Sequence, residues 1–366
     1  MKLSITADVH LSANYPERSK ALENILQQTE REGISDLIIA GDLFDTDGDD
    51  TSYAHFLNPC RNHPKLKIHL IPGNHDTEKS LRDLNLENLV KYTEPTWVTF
   101  DEASFLFVPY LKGMSMGEIL KSHWGTTDRS ATCIVGHGDF IDGLREPNPR
   151  EKGIYMPLCK AELTKKSLCR VFLGHIHKPT PIDQPISGKV TYPGSPQGLD
   201  INETGERRFL IYDTQTDSLF SKSIHSPFIF FDEKFFVVPS NEEVNYLLND
   251  LRSRAELNSW SQLQERAIAR FTVKGFTQNK NELVNCFTTE IKKLGIKIYQ
   301  SPGVNQEPNP NFDRLISATD DQLNTVAQKA LQEIEFLAES FWDFDDLNSP
   351  SLEEVKMAAL KTIYRR

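Results

Sequence analysis

The stretch that most constrains the fold of this chain is KIHLIPGNHD, residues 67–76. Ile68, Leu70 and Ile71 form a short apolar run with β-branched residues, which reads as a buried strand. Pro72 and Gly73 stop it, and Asn74, His75 and Asp76 follow at once. A strand that ends in a Gly turn and then presents an amide, an imidazole and a carboxylate places polar groups at its carboxyl edge. Open α/β sheets bind ligands at that edge. The same pattern recurs four times. Asp8 and His10 follow residues 3–6, Asp42 and Asp45 follow 37–40, His137 follows 133–135, and His175 and His177 follow 171–173.

Between these strands the pattern is helical. Pro16 suits a first-turn position, Leu22, Ile25 and Leu26 share a face, and Gly33 closes the segment, so 16–32 reads as a helix. Residues 51–58 read as a shorter one. Alternation of strand and helix implies a parallel or mixed sheet covered by helices. Leu81, Leu84, Leu86 and Leu89 have only partly helical spacing and suit packing on the sheet or a dimer contact. A boundary falls near 226–232. Beyond it, 267–276 alternates as a strand, with Ala269, Phe271 and Val273 on one face. Residues 281–294 make an amphipathic helix ended by Gly295. After a Pro- and Asn-rich linker at 301–311 come two more helices, the first capped by Thr319. They either pack on their own domain or offer an apolar face to a partner. The expected organisation is an α/β core of residues 1–228, a small α+β domain at 229–302, and a helix pair at 312–366.

Net charge is −11, which does not advertise nucleic-acid binding. The distribution matters more. Residues 143–180 carry eight basic side chains against three acidic, whereas 315–366 carry five against ten. Arg145, Arg150, Lys152, Lys165, Lys166 and Lys178 therefore form a basic stretch beside the motifs, a candidate surface for a polyanion. The opening MKLSITADVH reads as a strand, not as a basic and apolar leader, and no apolar stretch reaches membrane-span length. Five cysteines without a CxxC pair suit free thiols in a reducing compartment. The expected location is the cytoplasm.

Asp8, His10, Asp42, Asn74, His137, His175 and His177 supply oxygen and nitrogen donors and no thiolate, a mixture that suits manganese, iron or zinc. Seven donors exceed one tetrahedral ion. They fit two ions about 3.5–4 Å apart that share a carboxylate. Such a pair would hold a phosphodiester and activate water. His75, adjacent to Asn74 in a tight turn, is expected to point elsewhere and to protonate a leaving oxygen. Asp45 is its expected partner, favouring the imidazolium and orienting the ring. His55, His63, His69, His123 and His225 sit at no strand-to-Gly turn and read as structural.

The five motifs DVH, GDLFD, GNHD, GHG and GHIH resemble the calcineurin-like metallophosphoesterase family. GHIHKP followed by YPGSPQGLD looks like its SbcD nuclease branch, and the ARFTVKG segment is similar to that branch's capping, DNA-binding domain. The resemblance implies a metallophosphoesterase β-sandwich flanked by helices. It also implies a manganese-dependent DNA exonuclease and endonuclease that processes ends and hairpins, homodimeric through its nuclease domain and nucleoid-associated. The terminal helices would bind an SbcC-like coiled-coil ABC ATPase. Carried over by motif, Asp8, His10, Asp42 and His177 would hold one ion, and Asp42, Asn74, His137 and His175 the other, with His75 catalytic. Val9 and Ser12 stand where many relatives have Trp and Gly, and some branches have His in place of Asp45. Two other readings stay open: a phosphodiesterase or phosphatase for small nucleotides, and a non-catalytic scaffold of a DNA-end complex.

Overall fold

A computed structural model describes residues 1–46, 49–124, 132–142, 153–163, 168–301, 307–317, 326–341 and 350–364. The chain divides into two compact units, Met1–Ile229 and Phe230–Arg366.

The first unit opens with β1 (Lys2–Thr6), α1 (Pro16–Arg31), β2 (Asp36–Ala40), α2 (Asp50–Asn62) and β3 (Lys67–Ile71). Next come α3 (Glu78–Arg82), β4 (Leu89–Lys91), β5 (Thr96–Phe100), β6 (Ala103–Val108), α4 (Met116–His123) and β7 (Thr132–His137). It finishes with the short β8 (Phe140–Ile141) and β9 (Leu158–Cys159), then β10 (Leu168–Gly174), β11 (Val190–Thr191), β12 (Arg208–Asp213) and β13 (Ser218–Ser223). One sheet has the order β13-β12-β1-β2-β3-β4 and the other β11-β10-β7-β6-β5. β1, β2, β3 and β4 run parallel in the first, as do β6, β7, β10 and β11 in the second.

Strand alternation decides the layering. Leu37 and Ile39 of β2 pack with Leu22 and Ile25 of α1 and Phe56 of α2. Ile38 and Ala40, one residue out of phase, pack with Phe105, Phe107, Val135 and Phe172 of the other sheet. That second sheet turns Leu106, Ile134, Val171 and Leu173 towards Met116, Ile119 and Leu120 of α4. The result is helix, sheet, sheet, helix, the β-sandwich flanked by helices that the motifs imply. Leu81 and Leu84 are buried in the first core and Leu86 and Leu89 pack against it, so the leucine run is packing. Cys60 and Cys133 are buried, and all five cysteines are free thiols.

One helix exceeds its expected length. Pro59 should end α2, yet the helix continues to Asn62. Proline has no N–H for the carbonyl four residues back. Here that carbonyl, on His55, accepts instead from Ser19 Oγ of α1 at 2.7 Å.

The second unit comprises β14 (Ile229–Val237), α5 (Glu243–Leu257), α6 (Trp260–Leu263), β15 (Ala267–Thr277), α7 (Lys280–Leu294), β16 (Lys297–Ile298), β17 (Asn311–Ser317), α8 (Val326–Phe341) and α9 (Leu352–Ile363). Phe235, Trp260, Phe271 and Phe287 interlock edge to face under the sheet, with Phe235 and Phe287 centroids 5.2 Å apart. The expected division between 302 and 312 does not separate the terminal helices from this unit. β17, not foreseen, pairs in parallel with β15. Ala327 and Leu331 of α8 and Leu360 of α9 share a core with Val238 and Phe276. Thr319 and the acidic turn at 342–348 lie outside the described residues. No helix among the described residues is long and apolar enough to cross a membrane.

Of the structural histidines, His69 is the most enclosed. Its Nε2 lies 2.8 Å from Asp36 Oδ1 and its Nδ1 2.8 Å from the Tyr92 hydroxyl. Burial would raise the Asp36 carboxyl, but His69, Ser35 and Lys67 hold it below its ordinary value of 3.8. A carboxylate whose folded value is depressed stabilises the fold above its unfolded value and loses that contribution as pH falls through the folded one. Asp36→Asn should therefore lower stability at pH 7 and shrink the loss between pH 5 and pH 3, as urea unfolding across that range would measure.

Candidate metal centre

The five motifs meet because the parallel ladders continue past the ends of the strands. Asp8 N donates to Gly41 O at 3.0 Å, His10 N to Asp42 O at 3.0 Å, and Leu11 N to Leu43 O at 2.8 Å. On the other sheet, Gly138 N donates to Gly174 O at 3.2 Å, and Ser195 N reaches His177 O at 3.1 Å. These bonds hold the loops of β1, β2, β7 and β10 in register at one rim. The turns are tight. Asp8, His10, Asp42 and His175 have φ of 54°, 50°, 51° and 99°. Left-handed backbone at a residue other than glycine costs about 1–3 kcal/mol and clusters at functional sites. Gly73 and Gly174 allow close approaches, since a Cβ would lie 2.1 Å from Asp42 Oδ1 at the first and 2.0 Å from Ala40 O at the second.

Three overlapping groups of donors result: Asp8, His10 and His177; His10, Asp42 and His75; Asp42, His137 and His175. In each, one ligand atom per residue lies within 4.8 Å of the others. Asn74 joins the third. Its Oδ1 lies 2.9 Å from His137 Nε2 and 3.1 Å from His175 Nδ1. Asp42 Oδ2 stands between the halves, 3.6 Å from His10 Nε2 and 3.3 Å from His137 Nε2. The seven donors expected from the motifs are thus brought together with Asp42 in the shared position.

Their chemistry calls for a cation. His137 donates Nδ1–H to Ala40 O at 2.9 Å, which leaves Nε2 facing two acceptors, Asn74 Oδ1 and Asp42 Oδ2. His10 and His177 present Nε2 to one another at 3.1 Å. Asp8 Oδ1 accepts from His175 N at 2.7 Å, but its Oδ2 is buried without a hydrogen-bond partner. A buried acceptor without a donor is costly. Divalent ions satisfy these groups together, so the residues present fit the metals the motifs imply. Burial would lower the His137 imidazole, yet Asp42 and Asp8 raise it to about 10. Burial would raise the Asp42 carboxyl, and His137, His10 and His75 drive it well below the usual range.

Two expectations need correction. His75 does not point away: its ring lies edge-on to His10, with centroids 4.9 Å apart, and it groups with His10 and Asp42. Its turn sends it back into the pocket because its own N–H donates to Asp42 Oδ1 at 2.9 Å. Asp45 meets His75 through its main chain, the Nδ1–H donating to Asp45 O at 2.7 Å. The Asp45 carboxylate turns instead to Arg18, at 3.3 Å, and His10 Nδ1, at 3.5 Å. Arg18 also donates to His10 O at 2.6 Å, so a buried cation of α1 competes for that carboxylate.

The motifs also missed the groups behind the donors. Asp76 accepts from the main-chain N–H of Gly73, Leu43 and Phe44, at 2.9, 3.1 and 3.0 Å, and ties the third motif to the second. Burial and the nearby Asp42 raise its carboxyl. Asp139 Oδ2 lies 3.6 Å from His175 Nε2. Glu203 Oε1 accepts from His177 Nδ1 at 2.9 Å. Asp76 is the last residue of GNHD but was given no role there, whereas Glu203 follows no motif spacing. Of the candidate DNA contacts, Lys178 is exposed directly after His177. Arg145, Arg150, Lys152, Lys165 and Lys166 lie outside the described residues.

Residues 1–181 match the family model of calcineurin-like phosphoesterases. This stretch is a calcineurin-like metallophosphoesterase domain, a metal-dependent phosphoester hydrolase of a family that binds two divalent metals. No curated protein matches the sequence. Among solved structures the chain is similar to TT1561 of Thermus thermophilus, with 16% identity over 61% of this chain and 98% of that one and a TM-score of 0.41. It is similar to purple acid phosphatase PPD1 from yellow lupin (Lupinus luteus) seeds, with 14% identity, 61% and 53% coverage and a TM-score of 0.42. A dimetal phosphatase from Danio rerio is a third, with 12% identity, 61% and 96% coverage and a TM-score of 0.39.

Because Asp42 stands between the halves, Asp42→Asn is expected to empty the whole centre, while Asp8→Asn should weaken one half. Metal content after dialysis against manganese, read by atomic emission, checks this. Equal residual content in the two variants would mean that no carboxylate is shared.

Proposed function

We propose that this chain is an SbcD-type nuclease subunit: a manganese-dependent DNA exonuclease and endonuclease that processes ends and hairpins with an SbcC-like ATPase. The observation that carries the hydrolytic part is the pair of donor groups joined by Asp42 at one sheet rim. The choice of DNA is supported by the resemblance of GHIHKP and YPGSPQGLD to the SbcD branch and by the basic excess at 143–180. A second unit follows the catalytic one, as a capping domain would. Homodimerisation through the first unit, and a nucleoid-associated site of action in the cytoplasm, belong to the same proposal.

In this reading Asp8, His10, Asp42 and His177 would hold one ion, and Asp42, Asn74, His137 and His175 the other. When bound, such a pair supplies Lewis-acid activation of water and neutralises charge on the attacked phosphoryl group. The chain does the rest. Asp42 fixes the relation of the two halves through its place between His10 and His137. His75, its Nδ1–H held by the Asp45 carbonyl, keeps Nε2 as the atom that can pass a proton to the leaving oxygen. Arg18 holds the His10 carbonyl and with it the first loop. Lys178 would meet a backbone phosphate beside the centre. On α8, the neighbours Phe336 and Leu337 are 63% and 44% exposed, apolar side chains that would suit a protein partner such as the ATPase.

A DNA hairpin and a small phosphodiester such as bis-p-nitrophenyl phosphate, each given with manganese, test the substrate. Efficient hairpin opening with slow turnover of the small ester is expected. The reverse would leave a phosphodiesterase for small nucleotides, and neither activity would leave a scaffold. His75→Ala should keep both manganese equivalents and lose about 10²–10⁴-fold in cleavage rate. Loss of manganese in this variant would make His75 a ligand.

A further inference from the structure

Glu203 lies 26 residues beyond His177 in the chain, yet its carboxylate is the group that holds that imidazole from behind. Oε1 accepts the His177 Nδ1–H at 2.9 Å. Oε2 accepts from Ser195 Oγ at 2.9 Å, Leu199 N at 3.0 Å and Arg207 Nη2 at 2.6 Å. Arg207 also reaches Ser195 Oγ at 2.8 Å. Glu203, Ser195 and Arg207 are all buried. The carboxylate is thus bonded on both oxygens and cannot swing away without stranding a buried cation. With Nδ1–H committed, His177 has only Nε2 to present, and it presents it to His10 at 3.1 Å.

The other half of the centre lacks an equivalent among the described residues. His137 is backed by the neutral carbonyl of Ala40. Asp139 stands 3.6 Å from His175 Nε2, beyond hydrogen-bond range. Asn74 contributes a neutral oxygen there, where the first half has the Asp8 carboxylate with one oxygen unpartnered. An anionic partner fixes an imidazole and strengthens it as a ligand more than a carbonyl does.

We propose that Glu203 is a positioning residue for His177, and that it makes the Asp8, His10, His177 half the tighter of two unequal ion positions. This rests on the two-ion reading above. Groups behind a metal-bound imidazole typically change affinity about 10–100-fold when altered. The experiment is titration of the metal-free full chain with Mn²⁺, followed by calorimetry and by the electron paramagnetic signal of free Mn²⁺. Wild type should bind in two resolved steps. Glu203→Gln should weaken the tighter step about 10–100-fold and leave the weaker one in place. In a His177→Ala background, Glu203→Gln should have no further effect. Ser195→Ala, a milder change, should weaken the same step by a smaller factor even if Glu203→Gln folds poorly. Equal weakening of both steps, or an undiminished effect without His177, would show that Glu203 only supports the fold and overturn the proposal. Two steps unmoved by either variant would overturn it as well, while leaving the two-ion reading intact. A wild-type chain that binds no Mn²⁺ would overturn both.

Discussion

Everything in the first unit is arranged around a set of acceptors crowded against one another. Asp42 Oδ2, Asn74 Oδ1, Asp8 Oδ2 and the Nε2 atoms of three histidines converge in one pocket. Without a cation such a pocket is unfavourable, because buried acceptors repel one another and have given up water. The protein therefore has to hold the pocket together by force from outside. Three hydrophobic cores and the main-chain bonds that extend the parallel ladders past the strand ends do this. The central layer, with Phe105, Phe107 and Phe172 against Ile5, Ile38 and Ile71, locks the sheets face to face. Rim loops anchored to both sheets then have little freedom to relax.

The cost is visible in the backbone. Four of the donor residues adopt left-handed φ. Such strain persists only where the surroundings over-determine it. Here they do so with specific bonds. The Asp76 carboxylate collects three main-chain N–H groups. Arg18 clamps the carbonyl of His10. Glu203 holds His177. Each of these groups spends a charge on geometry and leaves the inner side chains to face the pocket.

The second unit follows a different logic. Its stability comes from aromatic contacts under one sheet and from a helix pair that packs on Val238 and Phe276. That packing answers half of the question posed by the two amphipathic helices, since their buried stripes are used within the unit. Phe336 and Leu337 remain on the outside of α8. The apolar spacing was legible, but which of two apolar faces is covered depends on what the fold brings against it.

What the sequence by itself determined is the strand and helix grammar of the first unit and the set of donor side chains that the fold brings to one rim. Both depend on short-range rules: alternation by twos, spacing by threes and fours, and Gly turns that expose the next side chain. What it left undecided needed contacts between distant residues. The helix read at 51–58 runs on through Pro59, where Ser19 supplies the donor that proline lacks. Asp45 reads as the partner of His75 until Arg18, on α1, attracts its carboxylate. β17 falls at the start of the stretch read as a helix pair, and only its ladder with β15 makes it a strand. Glu203 has no signature at all, because its role is set by where a loop returns in space. Only tertiary structure decides these, since the energy of a buried charge or an open edge depends on which groups are folded against it.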